Sequence, residues 1–136
     1  MQRKQVLIAA ALIALAFLIG YIPNEIGSRR LAQQLRRTEL DLRLVNLHRQ
    51  LGVASHEAQR NNYGVASGIA KSFFEGCRKT VHEFRFENRP RTQIALQGYA
   101  QQGDVILGEL ANGDPMVKER LASMYMTMSG VIDRRQ

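Results

Sequence analysis

An uncharged apolar run near the N-terminus constrains this chain more than any other feature. Residues 6–22, VLIAAALIALAFLIGYI, contain no charge, no side-chain amide and no proline. As an α-helix this anchor run would span about 26 Å, because each residue adds about 1.5 Å, and a bilayer core is about 30 Å thick. Arg3 and Lys4 precede it, as in a signal anchor or a cleavable signal peptide. The run therefore predicts a chain that is inserted in a membrane or exported across it.

The position of the candidate cleavage site favours an anchor that is not removed. Ala14-Leu15-Ala16 offers the small residues that a signal peptidase requires, but cutting after Ala16 would leave an apolar N-terminus. Tyr21 stands where an interfacial aromatic belongs, and Pro23 is expected to end or kink the membrane helix. The predicted anchor residues are Val6, Leu7, Leu12, Phe17, Tyr21 and Ile22.

The flanks of the anchor run leave its orientation open. Arg3 and Lys4 stand on one side and several arginines on the other, so the positive-inside rule gives no clear answer. A short basic tail before a long domain is the usual bacterial arrangement with the N-terminus inside. We take it as the default, which places the protein in the inner membrane with its C-terminal domain in the periplasm.

The rest of the chain has the apolar periodicity of helices and predicts an all-α fold in three segments. Residues 1–23 form the anchor, residues 24–58 a long coiled-coil-like helix, and residues 59–136 a compact antiparallel helical hairpin or bundle. Helical spacing continues from Ser55 to about Phe84. Gly52 is the weak point of the long helix, where a kink or a helix end is expected.

Two apolar stripes lie on the long helix. The first, called the outer stripe below, has spacings of four, seven and three and consists of Leu31, Leu35, Leu42 and Val45. The second, called the seam, continues in a/d spacing to Ala54 and Ala58, and its principal residues are Leu40, Leu44, Leu47 and Leu51. The seam predicts a parallel homodimer, or packing against another helical membrane protein. The helix is also expected to extend past its C-terminal neighbours and to leave part of the outer stripe uncovered.

A row of small residues follows at four-residue spacing. This glycine row consists of Gly64, Gly68, Ser72 and Gly76. Small side chains on one face of a helix let another helix approach closely. The row therefore predicts a close packing groove, and Gly68→Leu is expected to destabilise the fold.

The strongest break in the chain comes at Gly113-Asp114-Pro115. Gly113 suits the left-handed residue that closes one helix. Asp114 suits the N-cap of the next helix, with Pro115 in its first position. A tight turn of this kind predicts two antiparallel helices.

The titratable residues form no recognisable catalytic or metal-binding pattern. His56-Glu57 opens like a zincin motif, but Arg60 stands where the second histidine is required. Cys77 is the single cysteine, and its spacing from His82 keeps the two apart on a helix, so a buried structural thiol is expected. We therefore expect no enzyme activity, no metal and no cofactor.

Two short segments resemble the helix-turn-helix unit of tetratricopeptide proteins. They are Leu51-Gly52-Val53-Ala54 and Tyr63-Gly64-Val65-Ala66, and the stretch from Leu96 to Pro115 echoes them. The resemblance implies binding of peptides or proteins by stacked helix pairs, and it assigns no functional residue.

These patterns together predict a single-pass, membrane-anchored helical scaffold or interaction protein that self-associates and has the bilayer as a partner. One alternative is a secreted helical binding module of the tetratricopeptide kind, released by signal cleavage. Another is a basic domain bound to anionic lipid or nucleic acid, since the net charge is +7. Arginines that alternate with acids along helices are more typical of a solvated surface, and the chain has no Trp, so nucleic acid is the less expected partner.

Overall fold

The computed structural model describes the backbone of residues 2–133 and the side chains of residues 12, 13, 15, 16, 27–85 and 87–133. These residues form four helices and no strand: α1 (Gln2–Gln59), α2 (Tyr63–Phe86), α3 (Pro90–Asn112) and α4 (Met116–Asp133). The all-α class is confirmed. The chain divides into two compact units, Met1–Thr38 and Glu39–Gln136.

In the second unit, the end of α1 packs with α2, α3 and α4 as an antiparallel four-helix bundle. Arg43 of α1 pairs with Glu83 near the end of α2, and Gln59 at the end of α1 reaches Lys118 near the start of α4. Each helix thus runs opposite to its neighbour, as short loops between helices require. The helical bundle predicted from the sequence is confirmed.

The core of the bundle takes one face from each helix. Large side chains from all four helices are almost completely buried there, among them Leu44, Phe73, Phe74, Leu96, Ile106 and Leu121. The rings of Phe73 and Phe74 meet edge to face with centroids 5.1 Å apart, and Tyr99 of α3 lies 6.1 Å from Phe73. Burial of about 2 kcal/mol per large apolar side chain is the main stabilising contribution.

The turn from α1 to α2 interrupts the helix that the sequence predicted to continue from Ser55 to Phe84. Asn61 has φ +62° and ends α1 in the left-handed region. The amide of Asn62 donates to the carbonyl of Glu57 and that of Asn61 to Ala58, the pair of bonds of a Schellman cap. Asparagine tolerates this conformation better than most residues, so the Asn61-Asn62 pair was the signal that the apolar spacing concealed.

The helix does not end at Pro23 or Gly52, the two positions where the sequence predicted an end or a kink. α1 passes both positions and ends at Gln59. Among the residues whose side chains are described, no helix is long and apolar enough to cross a membrane. Five of the predicted anchor residues, Val6, Leu7, Phe17, Tyr21 and Ile22, lie outside the described side chains, and Leu12 is 64% exposed. The anchor stays a prediction.

Candidate interaction surfaces

The seam lies inside the bundle. Leu40, Leu44, Leu47 and Leu51 are at most 5% exposed, and Ala54 and Ala58 are completely buried. They pack against α2 and α4, which cover the face that the sequence assigned to a partner helix. Because the seam belongs to the core of a single chain, a dimer cannot use it while the bundle stays folded.

Among the described residues, the glycine row is closely approached only at its C-terminal end. Gly64, Gly68 and Ser72 are exposed, and a Cβ built on Gly64 or Gly68 meets no described atom within 4 Å. Only Gly76 is closely approached, since its Cβ would lie 2.5 Å from Cδ2 of Leu47. Residues four apart drift around a helix by about 40° each time, so a row of this length turns from the solvent toward α1.

Close approaches occur instead at two glycines that the four-residue spacing does not include. At Gly52, a Cβ would lie 2.8 Å from the ring of Tyr125, and at Gly103 it would lie 3.0 Å from Cγ of Phe74. Gly52 therefore leaves the space that the Tyr125 ring of α4 occupies. Since both contacts join residues far apart in the chain, periodicity alone gives no signal for them.

The turn between α3 and α4 is built by the three residues that the sequence singled out. Gly113 has φ +65° and caps α3, with its amide near the carbonyls of Glu109 and Leu110. The carboxylate of Asp114 accepts a hydrogen bond of 2.9 Å from the amide of Met116. Pro115 lies one residue before α4, which begins at Met116, and so precedes the first position that the sequence predicted for it.

His48, Tyr125 and Ser129 are the described residues that most resemble a catalytic cluster, but their hydrogen bonds disfavour catalysis. The His48 ring stacks on Tyr125 at 4.3 Å, and its Nε2 lies 2.8 Å from the hydroxyl oxygen of Ser129. The Ser129 hydroxyl also lies 3.2 Å from the Tyr125 carbonyl, and when it donates there its oxygen is left to accept from Nε2–H. A serine with its proton directed away from the imidazole is not activated as a nucleophile.

The buried thiol and phenol are also unsuited to chemistry at neutral pH. Burial raises the pKa of Cys77 to about 12, so the thiol stays protonated and unreactive. Burial, with a contribution from Cys77, also raises the pKa of Tyr99. Its hydroxyl has no hydrogen-bond partner among the described residues. No group of three or more His, Cys, Asp or Glu within the described part of the chain could hold a metal ion.

A cleft of about 840 Å³ opens between the α2–α3 turn and α4. Asp41 and Arg89 form an ion pair of 2.7 Å at its edge, and Arg91 and Met126 contribute to its lining. The Arg89 guanidinium is already matched by Asp41, so the pair closes the α2–α3 turn onto α1. Sequence reasoning missed it because the two residues are 48 positions apart.

The outer stripe is the apolar surface that the fold leaves open on α1. In the unit Met1–Thr38, Leu31 and Leu35 are 58% and 63% exposed. In the unit Glu39–Gln136, Leu42 and Val45 are 65% and 50% exposed. Single exposed apolar side chains are common, but Leu42 and Val45 are neighbours on a helix whose other face is buried in the bundle.

Comparisons with protein families, with curated proteins and with solved structures found no match to this chain.

Proposed function

We propose that this protein is a single-pass, membrane-anchored helical interaction protein that self-associates and has no catalytic activity. The observation that carries the proposal is the exposure of Leu42 and Val45 in the unit Glu39–Gln136, where the seam of the same helix is buried. The four helices of the bundle bury one another's core residues, so the remaining apolar surface on α1 is available to a partner. Cys77 is buried, and His48 is engaged with Ser129, whose hydroxyl oxygen lies 2.8 Å from Nε2.

The anchor in this proposal rests on the sequence of residues 6–22, which contains no charged residue over 17 positions. A helix of that length reaches most of the way across a bilayer core. With the N-terminus inside, the bundle would lie in the periplasm of a bacterium, attached to the inner membrane. The single cysteine, Cys77, is buried and unreactive, which is compatible with the periplasm.

Membrane fractionation tests the anchor directly. The full-length chain should stay with membranes through high-salt and carbonate washes. A variant with Leu12→Arg and Leu15→Arg should be released, because each arginine at the centre of a membrane helix costs about 2.5 to 3.5 kcal/mol. Release of the unmodified chain, or a mature chain that starts at Phe17, would contradict the anchor.

The two alternatives predict different outcomes in the same preparation. A secreted module of the tetratricopeptide kind would be recovered as a shortened chain in the periplasmic fraction. A basic domain held on anionic lipid would leave the membrane in high salt, since screening removes surface electrostatics.

A further inference from the structure

We infer that the cleft between the α2–α3 turn and α4 binds a small amphipathic monoanion, a carboxylate that carries an apolar chain. The inference goes beyond the proposed function and does not depend on the anchor, since every described residue that lines the cleft belongs to the unit Glu39–Gln136. The cleft has a volume of about 840 Å³, and small-molecule pockets range from about 300 to 1,000 Å³. Its size therefore suits a small ligand.

The wall of the cleft where α2 turns into α3 carries its positive charge. Arg91 is exposed there and makes no ion pair or hydrogen bond with another side chain that the structure describes. Arg89 donates from Nη1 to Asp41 at 2.7 Å, so this pair is neutral as a whole. The described lining thus contains two arginines and one aspartate, a formal charge of +1. One carboxylate balances that charge, whereas a phosphate dianion would leave the cleft negative.

The facing wall, on α4, is largely apolar and has a gap in its side chains. Met126 and Val131 line it, and Met126 is 71% exposed. Gly130 lies on the same wall and presents only backbone to the cleft. A Cβ built on Gly130 would meet no described atom within 4 Å. The gap leaves room for an apolar chain against α4, where the flexible methionine side chain can adapt to it.

The two walls together select a ligand that has both a charge and an apolar part. The planar guanidinium of Arg91 suits a carboxylate, with which arginine forms paired hydrogen bonds. A simple anion would leave the α4 wall in contact with water, and a neutral amphiphile would leave Arg91 without an ionic partner. Both parts of the ligand should therefore be needed for binding. This requirement separates the cleft from the general attraction of anions to a chain with a net charge of +7.

Titration calorimetry of the full-length chain in maltoside micelles tests the site, with octanoate as the probe and protein-free micelles as the blank. We expect saturable binding of octanoate at a single site in each chain. Acetate lacks the apolar chain and octanamide lacks the charge. Each should bind more weakly than octanoate by about tenfold or more, because each loses the contacts of one wall.

A charge variant tests the role of the guanidinium. Arg91→Gln should weaken octanoate binding by about tenfold and leave the weak binding of octanamide unchanged, since only the ionic partner is lost. The matched control is Arg60→Gln, which removes an exposed arginine that lies at the α1–α2 turn, away from the cleft. It should bind octanoate as the parent does.

A second pair of variants tests the gap on α4. Gly130→Glu should abolish octanoate binding, because the new side chain enters the open space in the cleft and repels the carboxylate. The matched control is Gly108→Glu, which places the same side chain at another helical glycine with open space, on α3 and outside the cleft. Both variants should melt at or above the parent temperature, since glutamate is a better helix former than glycine.

Three results would overturn the inference: no saturable binding of octanoate to the parent chain, equal affinity for octanoate and octanamide, or octanoate binding that survives Gly130→Glu. If Gly130→Glu melts below the parent, Arg91→Gln decides alone, because it changes an exposed side chain. A loss of about tenfold with that variant would then support the cleft, and an unchanged affinity would overturn it. None of these outcomes depends on whether membranes retain the chain, so the site and the anchor are tested separately.

Discussion

The same substitution at two positions of α2 should change the stability of the bundle in opposite directions. Gly68 and Gly76 both lie inside the helix, eight residues apart. Replacing an exposed helical glycine by alanine stabilises by about 1 kcal/mol, because it reduces the conformational freedom of the unfolded chain. At Gly68, a new Cβ would meet no described atom within 4 Å, so Gly68→Ala should realise that gain.

At Gly76 the new Cβ would lie 2.5 Å from Cδ2 of Leu47, a distance that real contacts do not show. Leu47 is buried in the core and has little room to move. Overpacking of a core costs about 1 to 3 kcal/mol, which exceeds the gain in helix propensity. Gly76→Ala should therefore destabilise the bundle, by up to about 2 kcal/mol after that gain is subtracted.

Thermal unfolding of the full-length chain in detergent, followed by circular dichroism, measures the difference. A change of about 1 kcal/mol shifts the melting temperature of a domain this size by about 4 to 8 °C. We expect a rise for Gly68→Ala and a fall for Gly76→Ala, with Gly64→Ala as a second exposed control. A lowered melting temperature for Gly68→Ala would show that this face is covered. The sequence-based expectation for Gly68→Leu would then stand.

Three further substitutions test the core, the buried thiol and the ion pair. In urea unfolding, Leu44→Ala should lower the free energy of unfolding by about 2 to 5 kcal/mol, and Leu42→Ala should lower it by no more than about 0.5 kcal/mol. The reason is that, of the two residues, only Leu44 is buried. Equal losses would refute the assignment of faces. The folded pKa of Cys77 is raised to about 12, so its contribution to stability is complete below about pH 9 and is lost as the pH rises toward 12. Cys77→Ala should therefore lose less stability than the parent over that range, and an identical pH profile would contradict the burial of the thiol. Arg89→Ala should cost no more than about 1 kcal/mol, since the ion pair with Asp41 is partly exposed, and a larger loss in the same urea assay would mean that the pair does more than close a turn.

Helix positions were predictable from the sequence where local chemistry determines them. The cap at Gly113 and the turn at Asp114-Pro115 both depend on residues whose backbone preferences are strong. The turn at Asn61 was missed because asparagine is a weaker signal and the apolar spacing continues across it. Apolar periodicity indicates which face of a helix is buried. It does not indicate whether the residues that share this spacing belong to one continuous helix.

The candidate surfaces were harder to predict, since they depend on which helix covers which face. Leu31, Leu35 and Leu42 were expected to be uncovered, and the structure exposes all three. The seam, however, has a better heptad pattern than the outer stripe, and a heptad pattern does not say whether its partner is the same chain or another. The contacts at Gly52 and Gly103 join distant helices and leave no trace in local spacing.

The burial of the seam changes what self-association would mean for this protein. If two chains had shared the seam, dimerisation and folding would have been one process, as in an obligate dimer. Because the bundle covers the seam with its own α2, α3 and α4, no second copy is needed to bury it. A partner that binds the exposed apolar residues of α1 in the unit Glu39–Gln136 would then bind a bundle whose core is already closed.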